Sequence, residues 1–278
     1  MRFAGFDTRV LELEGDGPPL VLFHGWADSA DTWRRLLAGL GRTDRRAIAV
    51  DLPGFGTADK LADETSVMGQ LDEFAAAVVD YTREECRPIV AGNSLGGAMS
   101  LRLASRQGDG LTGIVPIAPA GLDMPRWFTI VERDPLVRTI LSLPTPVPEA
   151  LVRVAVGRAY RLLAFADQSA CDANIVEAFT NHHRDTTSVA SYLATARRMV
   201  PELQTPMDLA AIPCPVLLVW GDRDRLVSHR GADVVREALP GARVELMKGV
   251  GHCPQIEAAD RVLSLLLDFP GEPLACAA

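Results

Sequence analysis

Short runs rich in Val, Ile and Leu alternate with helical patterns between Thr8 and Gly121, and no other feature of the chain narrows its fold as far. "TRVLELE" and "PLVLFHG" read as strands, "TWRRLLAGL" as a helix, "RRAIAVDLPG" as a strand and "SVMGQLDEFAAAVVDYTREE" as an amphipathic helix. The strand "RPIVAG", the helix "LGGAMSLRLASRQ" and the strand "GIVPIAPAG" follow. Strands this apolar need cover on both faces, which predicts a parallel sheet between two helical layers. From Met124 to Met207 the strand signal disappears, leaving helical patterns broken by prolines. Alternation then resumes with "CPVLLVWGDRD", "RGADVVREAL", "ARVELMKGVGH" and "PQIEAADRVLSLLLDF". Neither flank holds a complete sheet, so the expectation is one α/β domain, residues 1–123 and 208–278, carrying a helical insertion at 124–207. There is no internal repeat, and only the tail "PGEPLACAA" reads as low in order.

Within this frame, Gly92-Asn93-Ser94-Leu95-Gly96 matches G-x-S-x-G, with a strand before it and a helix after it. A strand that turns at once into a helix strains the turn residue, and flanking glycines keep neighbouring groups from colliding. The Ser94 hydroxyl is then left at the C-terminal edge of the sheet, beside helix N-terminal amides that favour negative charge. By composition roughly one chain in ten of this length contains such a pentapeptide, so its companions must decide whether it is a nucleophile or only a turn.

A serine hydroxyl needs a base, and a histidine suits that task near neutral pH. His252, in "KGVGHCPQIE", follows a strand and precedes a helix, which puts it at the same sheet edge as Ser94. His24 also ends a strand but reads as a loop-shaping residue beside Gly25. His182 and His183 read as a solvated surface pair in the insertion, and His229 as the start of a surface helix. An acid must hold the imidazole in its working tautomer. Asp224, just after a strand in "VLLVWGDRDRLVS", is the first candidate; Asp222 is its near rival, and Asp123 after "IAPAG" is a third.

The ordered set resembles the α/β-hydrolases, and the likeness runs from "LVLFHG" to "GHCPQIE". The resemblance implies an α/β-hydrolase fold, a mostly parallel central sheet flanked by helices with an inserted helical cap. It also implies the chain order nucleophile, acid, histidine as Ser94, Asp224, His252. The G-x-x-D spacing of Gly221 to Asp224 favours Asp224 over Asp222, and "HGW" and "DLPGFG" are family-like too. By the same resemblance the oxyanion donors are the backbone amides of Trp26 and Leu95, and the insertion is a lid. Its Met124, Trp127 and Phe128, with Leu162, Leu163 and Phe165, are candidates for the pocket lining.

These residues point to a serine esterase acting on small to medium apolar acyl substrates, with no metal or organic cofactor required. The "GNSLGG" and "GHCPQIE" segments are also similar to those of meta-cleavage-product hydrolases, which break carbon–carbon bonds. Against that alternative, the loop after His24 reads "HGWADSADTW", without a Gly-Pro-rich stretch, and Cys253 stands where that group has tryptophan. A ligand-binding receptor on the same fold is an alternative of another class.

Composition narrows the partners. A formal net charge of −8 opposes binding to nucleic acid or to an anionic membrane. No apolar run approaches the roughly 18 to 20 residues of a membrane span, and the N-terminus lacks a secretory h-region. Five scattered cysteines without C-x-x-C spacing read as reduced thiols in a cytoplasmic protein. A small-molecule substrate is the partner this leaves.

Overall fold

The computed structural model describes residues 1–83, 86–123, 147–183 and 185–269. Strands β1 (Arg2–Phe3) and β2 (Phe6–Asp7) form an N-terminal hairpin. The main sheet contains β3 (Val10–Leu13), β4 (Asp16–Phe23), β5 (Arg45–Val50), β6 (Ile89–Asn93), β7 (Gly113–Ile117), β8 (Leu217–Gly221) and β9 (Arg243–Met247). Their spatial order is β3-β5-β4-β6-β7-β8-β9. β3 is antiparallel to β5, and every other neighbouring pair is parallel.

Alternation along the strands builds two cores. In β4, Leu20 and Leu22 face one side, where they join α1 (Arg34–Leu40) and α9 (Ala259–Leu267) through Leu36, Leu40, Val262 and Leu266. Val21 and Phe23 face the other side, where they join α2 (Val67–Thr82) and α3 (Leu95–Gln107) through Leu71, Phe74, Val78 and Leu101. Side chains of this kind, once buried, contribute roughly 1.5–3 kcal/mol each. The sheet therefore has no solvated face at its centre, as its continuous apolar strands require.

Strand order also sets where a site can form. From β4 the chain crosses to β5 on one side and later returns to β6 on the other, so the loops leaving β4 and β6 diverge. A crevice at the carboxyl ends of the strands follows from such a reversal. Residues 24–33 and Ser94 stand at its mouth.

Between β7 and β8 the described residues form α4 (Glu149–Ala164), α5 (Ala173–Thr180) and α6 (Thr186–Leu203). Carboxylates tie these helices to the sheet body. Glu202 accepts hydrogen bonds from the Val67 and Met68 amides and the Ser66 hydroxyl, at the positive end of α2. Glu257, at the end of α8 (Pro254–Glu257), accepts from the amides of Ala166 and Gly251. The last described helix before β9 is α7 (Gly231–Ala238).

The cysteines depart from expectation at one place. Cys86 is disulfide-bonded, whereas Cys171, Cys214 and Cys253 are free. Nothing in the spacing of the cysteines points to that bond. Among the described residues no helix is long and apolar enough to cross a membrane. The expected low-order tail falls at 270–278, outside the described residues.

Candidate active site

Ser94 stands between β6 and α3 with φ 54° and ψ −109°, a left-handed conformation that costs a non-glycine residue on the order of 1–3 kcal/mol. The surroundings hold it there. Its N–H donates to the Ile117 carbonyl at 2.9 Å, and its own carbonyl accepts from Ala98 and Ala120, each at 3.0 Å. The two motif glycines have separate steric causes. A side chain at Gly92 would collide with the Gly96 carbonyl, and one at Gly96 would collide with the Phe23 carbonyl at the end of β4.

His252 follows β9, and its Nδ1 lies 2.7 Å from Asp224 Oδ2. A carboxylate only accepts, so Nδ1 carries the proton, and Nε2 is the basic nitrogen of the neutral ring. Asp224 is saturated with donors: Oδ2 also accepts from Trp220 Nε1 at 3.0 Å, while Oδ1 accepts from the Leu226 and Val227 amides at 2.8 and 2.9 Å. Its side chain is wholly buried. The other acids lie elsewhere. Asp222 accepts from the Gly249 amide at 2.6 Å and holds the β9 turn, and the Asp123 carbonyl accepts from the Ser228 amide.

Ser94 and His252 share the wall of a cavity of about 290 Å³, which Trp26 and Leu95 also line. That volume is at the lower end of small-molecule sites. Leu95 is the first residue of α3, and first-turn amides have no acceptor within their own helix. The Trp26 indole N–H donates to the Tyr192 carbonyl of α6, joining the loop after β4 to the helices above it. Met124, Trp127 and Phe128 lie outside the described residues. Of the other pocket candidates, Leu163 lines the cavity, Leu162 is exposed, and Phe165 is buried against Cys171, Cys253 and Ile256.

The remaining histidines separate by environment. His24 is wholly buried: Nδ1 meets the Gly25 carbonyl at 2.7 Å and Nε2 accepts from the Leu52 amide at 2.8 Å, so it braces two loops. Burial pushes its pKa down to about 4 in spite of Asp51 nearby. His183 corrects the expectation of a solvated surface pair. It is buried and lines the cavity, because α5 and α6 close on it, and burial holds its pKa at about 4.

Three residues to which the motifs assign no role also shape the site. Asn93, buried beside Ser94, donates through Nδ2 to the His252 carbonyl at 3.0 Å and so ties the two loops together. Asp51, the first residue of "DLPGFG", accepts from Arg9, the Ala30 amide and Thr57. Burial alone would raise its pKa, but these donors, Arg9 above all, hold it low. Asp28, in the loop after His24, lines the cavity, and burial raises its carboxyl from 3.8 to about 7, against the Ser29 amide and Thr32 hydrogen bonds.

The Asp28 shift has a measurable consequence. Between pH 4 and 7 the folded protein keeps a proton that the unfolded chain has released, so Asp28 makes stability fall as pH rises through that window. Asp28→Asn removes the ionisation. It is expected to raise stability at pH 8 by on the order of a few kcal/mol and to change little at pH 4. Urea unfolding of both proteins across that range checks it; a difference independent of pH would contradict the assignment.

A family comparison bears directly on this geometry: residues 20–265 match the model of the alpha/beta hydrolase family. The chain belongs to that family. Among similar proteins, the pimeloyl-[acyl-carrier protein] methyl ester esterase of Nitrosomonas europaea is 26% identical over 91% of this chain and 96% of its own. Two solved structures share the fold. A putative aryl esterase from Burkholderia cenocepacia superposes with a TM-score of 0.74 at 24% identity, covering 95% of this chain and 94% of that one. A meta-cleavage product hydrolase from Pseudomonas fluorescens IP01 gives 0.74 at 21% identity, covering 96% and 95%. This alpha/beta hydrolase therefore has both esterase-type and meta-cleavage product hydrolase neighbours. Among its described residues no cluster of His, Cys, Asp or Glu could hold a metal ion.

Proposed function

We propose that the chain is a serine hydrolase that cleaves carboxylic esters of small to medium apolar acyl groups. The observation that carries this reading is the 2.7 Å contact of His252 Nδ1 with Asp224, on a cavity wall shared with the strained Ser94. Ser94 Oγ attacks the ester carbonyl while His252 Nε2 takes its proton, and Asp224 keeps Nδ1 protonated and stabilises the imidazolium. The Trp26 and Leu95 amides receive the developing oxyanion. His252 then returns the proton to the leaving alcohol, leaving an acyl-enzyme on Ser94. Water, deprotonated by the same nitrogen, releases the acid and regenerates Ser94. No step calls for a cofactor. Residues 124–207 act as a cap over the cavity, on the body formed by 1–123 and 208–278. The apolar lining and the methyl ester esterase among the relatives support an ester substrate.

The test is a panel of p-nitrophenyl esters of increasing acyl length, run beside a vinylogous diketone ring-fission analogue. Multiple-turnover ester hydrolysis, with a fluorophosphonate adduct on Ser94 by mass spectrometry, is the expected result. Cleavage of the diketone without ester turnover would replace this reading with carbon–carbon hydrolysis. A large ligand-dependent rise in melting temperature with negligible turnover would replace it with a receptor.

A further inference from the structure

The wall of the cavity beyond Ser94 is a ladder of rings from the helices between β7 and β8. Tyr160 stacks on Phe179 at 3.8 Å between centroids, Phe179 on His183 at 4.7 Å, and His183 meets Tyr192 at 4.8 Å. All four line the cavity. Such a wall offers the faces and edges that an aromatic guest packs against.

One rung is polar in a particular way. His183 Nδ1 lies 3.0 Å from the Phe179 carbonyl, at the C-terminal end of α5. A carbonyl only accepts, so Nδ1 carries the proton. Burial keeps the ring neutral, which leaves Nε2 as a lone-pair acceptor. No described group donates to Nε2, yet it is not among the buried polar atoms sealed off without a partner. On a residue this buried, the open side of Nε2 is the cavity that its ring lines. On the same wall Asp28 is held by Ser29 and Thr32, and His252 Nδ1 by Asp224, which leaves His252 Nε2 to the chemistry at Ser94 and His183 Nε2 to the ring wall.

We propose that this wall selects esters whose aromatic portion carries a ring hydroxyl, the ring packing along Phe179, His183 and Tyr192 while its hydroxyl donates to His183 Nε2. A substrate without the hydroxyl leaves Nε2 without that donor against an apolar wall, and that difference is the source of selection. The inference rests on the serine hydrolase reading for its chemistry, but selection itself is a property of binding.

The experiment compares kcat/KM for ethyl benzoate with that for its three monohydroxy isomers, and for phenyl acetate with its hydroxyphenyl counterparts, so that the arms locate the ring on the acyl or the alcohol side. At least one hydroxy ester is expected to be preferred by roughly fivefold to tenfold, as one neutral hydrogen bond provides. In His183→Phe, which keeps a ring at this position, the ratio falls to near one whatever happens to the absolute rates. Should that variant fail to fold, methoxy analogues remove the donor from the substrate instead, and the wild-type preference must vanish with them. No preferred isomer, or a preference that survives His183→Phe or methylation, overturns the inference. If no ester is turned over, calorimetry on Ser94→Ala protein reads the same pairs. Hydroxyl-dependent binding there upholds selection while the hydrolase reading falls, and equal binding of both members overturns selection.

Discussion

Ser94→Ala is expected to lower kcat for p-nitrophenyl butyrate by roughly 10⁴- to 10⁶-fold, with the fold intact. The large effect follows from removing the only atom that forms the covalent bond in the proposed mechanism; what survives is attack by water in a site that still offers oxyanion donors. The fold should survive because the change removes one hydroxyl and leaves the φ 54° backbone, its hydrogen bond to Ile117 and the glycines around it in place. Initial rates, with far-UV circular dichroism on the same samples, measure both halves. Equal turnover by the two proteins would show that the hydrolysis belongs to another residue.

Much of the fold, and the residues of the candidate site, are legible in the sequence for physical reasons. Strands buried on both faces have to be apolar throughout, so β5 to β8 announce themselves as Val- and Ile-rich runs, and parallel neighbours place their ends at one edge. That is why "VAGNSLGG", "WGDRD" and "GVGHC" could be placed together from order alone. The choice between Asp222 and Asp224 rested on two residues of spacing in the resemblance, and the structure puts Asp224 against His252 and Asp222 on the Gly249 amide.

What was missed depends on how separate elements close on one another, which periodicity does not encode. The polar neighbours of His183 suggest a solvated residue; it is buried because α6 folds back over it and brings Tyr192 to its ring. Asp28 is one of two acids in the loop after His24, and burial in the folded chain, with Asp31 and Asp51 nearby, raises its carboxyl to about 7. Asn93 carries no sign that its amide would reach a carbonyl 159 positions away. Cys86 likewise shows nothing of its disulfide in its local sequence.

The proposed acid gives the second large effect. Asp224→Asn is expected to lower kcat about 10⁴-fold near neutral pH, even though the two side chains are almost the same shape. Four N–H groups point at the carboxylate: the Leu226 and Val227 amides on Oδ1, and Trp220 Nε1 and His252 Nδ1 on Oδ2. An amide can satisfy only half of them. With its oxygen on the two backbone donors, its NH₂ faces two further donors, and the conflict is relieved when His252 moves its proton to Nε2 so that Nδ1 accepts. The nitrogen that should serve as base toward Ser94 is then already protonated. Trp220 Nε1, in a wholly buried indole, loses its acceptor as well, so stability should fall by roughly 1–3 kcal/mol alongside activity. Asp222→Asn is the matching control, because its oxygen can still accept from Gly249 and it touches neither His252 nor Trp220. Steady-state rates and urea midpoints for the two variants decide the matter: a large loss of kcat in Asp222→Asn with Asp224→Asn near wild type would move the acid to the other side of Arg223.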